Sequence, residues 1–199
     1  MTTALRIVVA DDERDTREYL RDMLTRMGHT VVTADTGRHL LELAQAGEPD
    51  LILTDIRMPD MDGIEAAVQI NQVRPVPVIL LSGYHDAELL ERAKAEHLMA
   101  YLIKPIKQAD VEAAMSVALA RFEDYRQSRR QNDELTQALE ERKLVERAKG
   151  VVMRRLRVDE QEAFRRLKKL SSHQNRKLAD IARTVLQVDE VFQQMDQMG

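Results

Sequence analysis

Four short apolar runs in the first half of the chain each stop at a polar residue of a particular kind. LRIVVA ends at Asp11-Asp12, DLILT at Asp55, PVILL at Ser82 and AYLI at Lys104. Runs this short, separated by amphipathic stretches, read as parallel strands joined by helices. Parallel strands share one carboxyl edge, so these side chains converge where open α/β folds place their sites.

The remaining pattern fits the same architecture. TVVTA reads as a further strand, and helices are expected over residues 13–27, 38–46, 63–73, 87–96 and from 108 onward. Gly28 stops the first helix, and Gly47 with Pro49 closes the second. The fifth carries Val111, Ala114, Met115, Ala118 and Phe122 on one face. Five βα units imply right-handed crossovers and a doubly wound, five-stranded parallel sheet of flavodoxin-like α/β type. An apolar content of 44% supports a core, and with 4% aromatics that core is built of Leu, Ile, Val, Ala and Met. The absence of cysteine excludes disulfides and thiolate metal sites. No apolar run approaches the ~18 residues of a membrane span, and the N-terminus lacks a basic, signal-like region, so a cytoplasmic protein without a membrane partner is expected.

After Phe122 the character changes. EDYRQSRRQNDE holds one apolar residue, Tyr125, and neither Gly nor Pro, so the fifth helix is expected to run on as a solvated connector over residues 123–138. Leu135, Leu139, Val145, Ala148 and Val152 form a sparse stripe with Arg142 in a core position, which leaves open a short coiled-coil pair in a dimer or a single connector helix. Residues 139–195 then read as a small three-helix all-α domain. Asp159 opens DEQE, a capping box with Glu162, with Val158 and Ala163 as the hydrophobic staple. Ala163, Phe164, Leu167 and Leu170 form the next apolar face, which Ser171-Ser172 ends. Asn175 is expected to cap the last helix, buried at Leu178, Ile181, Ala182 and Val185. Between positions 142 and 183 the chain carries 14 Lys or Arg against 5 Asp or Glu, so a net charge of −4 hides a local excess of +9. Helical surfaces can carry such charge simply as a solvated face, but an excess this large more often marks a polyanion partner.

At the acidic edge, crowded carboxylates stay ionised cheaply only around a cation. Mg2+ accepts one or two carboxylates and takes phosphate oxygens in its remaining positions. A carboxylate can itself be the nucleophile, and phosphoryl transfer is helped by positioning and charge neutralisation, which Lys104 and the Ser82 hydroxyl supply. A single strand-end Asp is most simply a helix cap, but four matched strand ends are not.

IVVADDE, LTDIRMPDMDGIE, ILLSGY and YLIKPI make residues 4–122 resemble the receiver domain of two-component response regulators. The resemblance implies that Asp55 is the phospho-acceptor. It also implies that Asp11, Asp12, Asp55 and the backbone carbonyl of Arg57 hold Mg2+, and that Ser82 and Lys104 contact the phosphoryl group. Tyr101 takes the family's aromatic switch position, and Pro105 its cis-proline; on pattern alone Tyr101 reads as a buried core aromatic. His97 departs from the family, standing where a glycine commonly follows the fourth helix. The haloacid-dehalogenase phosphatases also use a strand-end Asp, but need a second Asp where this chain has Arg57.

AKGVVMRR, EAFRRLKKLS and NRKLADIA make the region from Leu139 resemble the ANTAR domain, an RNA-binding output of antitermination regulators. A basic helical surface without an aromatic stacking platform suits the phosphates and shape of structured RNA. Arg154, Arg155, Arg165, Arg166, Arg176 and Lys177 are the candidate contacts. The resemblance implies a response regulator rather than a conventional enzyme. A sensor histidine kinase is the expected phosphodonor and the hairpin loops of leader transcripts the expected target, with a homodimer in the active state and antitermination as outcome. A DNA-binding output, or one acting through an acidic protein partner, is the alternative; SSHQN lacks the glycine common in a helix-turn-helix turn. The five histidines are scattered without metal-ligand spacing and read as surface or junction residues.

Overall fold

The computed structural model describes residues 4–83 and 99–197, so the helix expected over 87–96, with His85 and His97, lies outside the described residues. The chain divides into two compact units, Met1–Arg126 and Gln127–Gly199.

The first unit runs β1 (Arg6–Ala10), α1 (Arg14–Arg26), β2 (Thr30–Ala34), α2 (Gly37–Gly47), β3 (Leu51–Asp55), α3 (Gly63–Val73), β4 (Val78–Ser82) and β5 (Ala100–Ile103), and then the start of α4 (Gln108–Leu156). All strand pairs are parallel, in the order β2-β1-β3-β4-β5. This is the doubly wound sheet expected, with its switch point between β1 and β3.

Side chains alternate across a strand, and here both faces are covered. Val8, Ala10, Ile52 and Leu80 pack on one side with Leu40 of α2 and with Ile64, Ala67 and Ile70 of α3. Ile7, Val9, Leu51, Leu53, Ile79 and Leu81 pack on the other with Leu20, Met23 and Leu24 of α1 and with Val111, Met115 and Ala118 of α4. Burial on both sides is why these strands read as unbroken apolar runs. Each buried Leu or Ile contributes roughly 1.5–3 kcal/mol, so the central strands hold the unit together.

Three sequence expectations are corrected here. Gly28 does stop the first helix, at φ 91°, but the left-handed residue behind α2 is Glu48, at φ 47°, and Gly47 stays helical. Tyr101 is not a core aromatic: β5 is an edge strand whose inward position is Leu102, and Tyr101 is 51% exposed. His29 is buried rather than superficial, its Nδ1 accepting from the Leu5 N–H at 3.2 Å.

In the second unit the last turns of α4 are followed by α5 (Glu160–Gln174) and α6 (Leu178–Gln197). Ala148, Leu167, Ile181 and Ala182 form the core, flanked by Leu144, Val145, Val152, Leu178, Val185 and Leu186. Asp159 is the N-cap of α5, accepting from the Glu162 N–H at 2.8 Å, as the capping box requires. The far end of α5 differs from expectation. Ser171-Ser172 remains helical, and Asn175, left-handed at φ 51°, caps the C-terminus of α5 rather than the start of α6. Asn tolerates that conformation better than other side-chain-bearing residues, which makes it an αL cap. The inward face of α5 is also narrower than expected: Ala163 and Leu167 are buried, while Phe164 and Leu170 are exposed. Residues 123–140 of α4 are exposed throughout, Leu135 and Leu139 included.

Candidate functional site

The sheet order sets β1, β3, β4 and β5 side by side, and their carboxyl ends deliver the polar residues in turn. Register pairs Ala10 with Thr54, Asp55 with Leu81, and Ser82 with Ile103. Asp11 and Ser82 are fully buried, Asp55 is nearly so, and Asp12 is exposed.

Lys104 joins the set. Its Nζ donates to Asp55 Oδ2 at 2.8 Å and lies 2.9 Å from Asp11 Oδ2 and 3.8 Å from Glu13 Oε2. Burial works against the Lys104 charge, but the bonds and charges of Asp55 and Asp11 outweigh it and hold the ammonium above the ordinary lysine range. Burial raises the Asp11 carboxyl above its usual value and the charge of Asp55 adds to this; Lys104 and the Glu13 N–H oppose it. Asp11 Oδ1 accepts from the Glu13 N–H at 2.9 Å, and the buried Asp11 Oδ2 faces the Lys104 ammonium at 2.9 Å as its ion-pair partner.

Carboxylate oxygens of Asp11, Asp12 and Asp55 all lie within 4.8 Å of one another. One ammonium cannot neutralise three carboxylates, and the donors are all hard oxygens, so the set fits a hard divalent cation. The Arg57 N–H reaches Asp55 Oδ1 at 3.4 Å, which brings the Arg57 backbone to the same edge. The Ser82 hydroxyl donates to the Gly83 carbonyl at 3.0 Å, one bond rotation from the strand end. Lys104-Pro105 is the cis peptide expected.

Positioning residues that the sequence reading passed over surround this edge. Arg17 Nη1 donates to the carbonyls of Asp11 at 2.7 Å and Asp12 at 3.0 Å, fixing the acidic turn to α1. Gly63 begins α3 so close to β3 that a Cβ there would stand 1.9 Å from the Asp55 carbonyl oxygen. The DG pair before an apolar helix was its only signal. Arg17 had none, because its partners are backbone atoms of a turn.

In the second unit the six basic candidates are exposed, but most of their charge is already engaged. Arg155 Nε bonds Asp189 Oδ1 at 2.8 Å and its guanidinium lies over the Phe192 ring at 5.3 Å, while Arg154 stands 3.6 Å from the same carboxylate. Arg165 and Arg166 both pair with Glu162. Arg176 bonds Gln174 and Thr184, and the Lys177 side chain has no such contact among the described residues. Lys149, unnoticed in sequence, is buried between Glu146 at 2.7 Å and Glu160 at 2.6 Å.

Residues 7–116 match the family described as Response regulator receiver domain, and residues 133–186 match the ANTAR domain. The chain is a response regulator with an ANTAR output. Transcriptional regulatory protein PdtaR of Mycobacterium tuberculosis is 34% identical over 183 residues, which cover 92% of this chain and 89% of that protein. Among solved structures, a response regulator receiver domain protein from Clostridium thermocellum is 28% identical with a TM-score of 0.55, spanning 58% of this chain and 94% of its own. NtrX from Brucella abortus is 26% identical with a TM-score of 0.58, spanning 63% of this chain and 29% of its own. No helix of the described residues is long and apolar enough to cross a membrane.

Proposed function

We propose that this response regulator accepts a phosphoryl group on Asp55 from a sensor histidine kinase and thereby controls the binding of structured RNA by its ANTAR unit. The supporting observation is the meeting of Asp55, Lys104 and the acidic pair at one sheet edge, with Lys104 Nζ 2.8 Å from the Asp55 carboxylate. An Asp55 carboxylate oxygen attacks phosphorus while the donor's P–N bond breaks, and the electron pair leaves with the donor nitrogen. Lys104, already cationic, exchanges part of its contact with Asp55 and Asp11 for the arriving phosphoryl oxygens. Ser82 rotates from the Gly83 carbonyl to donate to a phosphoryl oxygen. Asp11, Asp12, Asp55 and the Arg57 carbonyl would hold Mg2+, which when bound neutralises phosphoryl charge. The same residues slowly release phosphate, so the chain is not an enzyme in the conventional sense.

On this reading the output binds hairpin loops of a leader transcript, hinders a terminator and lets transcription proceed. A phosphoryl group adds roughly −1.5 to −2 charges at the sheet edge, enough to bias an element poised between two arrangements. Treatment with acetyl phosphate and Mg2+ should add a single phosphoryl mass to the wild type and none to Asp55→Asn. Equal labelling of that variant removes the assignment.

A further inference from the structure

We propose that the RNA-contacting surface of the ANTAR unit is the outward ridge of α5, with Lys168 and Lys169 as its phosphate contacts and Lys177 beyond the helix end. Arg154 and Arg155 instead fasten α6 to α4. This assignment rests on the RNA-binding reading above and sharpens it.

Asp189 of α6 is buried and takes both Arg154 and Arg155, and Asp180 takes Arg183 at 3.1 Å. A buried carboxylate stripped of its guanidinium partners is costly, so withdrawing these arginines toward a ligand opposes the packing of α6. Glu162 stands between Arg165 and Arg166 and cancels one of their two charges. Lys149 is held by two glutamates. With Lys143 on Glu140, seven of the fourteen Lys and Arg between positions 142 and 183 are held by acids of the unit.

Seven exposed cations between positions 142 and 183 have no ion pair among the described residues: Arg142, Arg147, Arg157, Lys168, Lys169, Arg176 and Lys177. Of these, Lys168 and Lys169 are neighbours on one face of α5, and Lys177 lies just past its end. On α5, Arg165, Lys168, Lys169 and Ser172 recur at i, i+3, i+4 and i+7, directly opposite the buried Ala163 and Leu167. Residues so spaced have Cβ atoms ~5–6 Å apart, forming a continuous cationic line with a hydroxyl donor at its end. The left-handed Asn175 then turns the chain so that Lys177 directly precedes α6. Exposed lysines that give up no internal partner on binding suit phosphate contacts, which position a polyanion without reading its bases.

The test uses RNA recovered by co-purification with the full-length chain, resynthesised and titrated at several salt concentrations. A Lys168→Gln/Lys169→Gln/Lys177→Gln variant, with its helicity checked by circular dichroism, should bind at least about tenfold more weakly, and its log affinity against log salt should be shallower by about 2. Arg154→Gln should keep the wild-type slope. Wild-type affinity and slope in the triple lysine variant overturn the ridge. So does a loss of slope in Arg154→Gln that the lysine variant does not share. If no structured RNA binds the wild type, the RNA-binding reading itself falls.

Discussion

Asp11 is the residue whose environment most directly links site chemistry to stability. Its carboxyl is raised by burial and by Asp55, so the native state holds the proton more tightly than the unfolded chain, where the value is about 3.9. Stability is therefore lost as pH rises from about 4 through the raised value, and at neutral pH the loss persists. Asp11→Asn removes that penalty. Without divalent cation, the variant's thermal midpoint should exceed that of the wild type at pH 7, and the gap should close as pH falls to about 4. The comparison must be a difference between the two proteins, because Glu18, Asp35 and Glu162, held low by Arg14, His39 and Arg166, drive stability the opposite way in both. Mg2+ should raise the wild-type midpoint, since it binds only the folded state, and leave Asp11→Asn nearly unmoved. A second residue-scale prediction concerns Gly63. A Cβ there would overlap the Asp55 carbonyl and come within 2.7 Å of Thr54 Oγ1, so Gly63→Ala should destabilise the receiver by about 1–3 kcal/mol in denaturant titration and slow phosphorylation of Asp55.

At the scale of the element, α5 is held by its ends as much as by its face. Only Ala163 and Leu167 are buried on it, a thin seam for fifteen residues, so the Asp159 cap carries unusual weight. Asp159→Ala should cost about 1 kcal/mol, seen as faster amide hydrogen exchange through the first turns of α5 in the full-length protein. Capping motifs of this kind are legible in sequence because cap and partner lie three residues apart. The other end was not: Asn175 is an equally good N-cap or αL residue by type, and only the backbone path between α5 and α6 shows which.

For the whole molecule, α4 is the element that belongs to both units, and residues 123–140 expose Leu135 and Leu139 one turn apart. We propose that this pair meets its counterpart on a second copy when Asp55 is phosphorylated. Sedimentation with beryllofluoride should show a shift toward dimer, weakened in Leu135→Gln/Leu139→Gln; a monomer unchanged in either condition defeats that coupling. The order of elements, the strand ends and the convergence of Asp11, Asp55, Ser82 and Lys104 could be read from the chain because parallel topology leaves four such strands one shared edge. Local patterning was enough there: apolar runs of five residues and amphipathic helices specify layers, and the layers specify the edge. What each charge would meet was a different matter. The Arg155 partner, Asp189, lies 34 residues away, Arg17 reaches carbonyls of a turn, and Tyr101 is exposed because its strand lies at the margin of the sheet. Those outcomes depend on distances between elements remote in sequence, which residue type and spacing do not encode and packing alone sets.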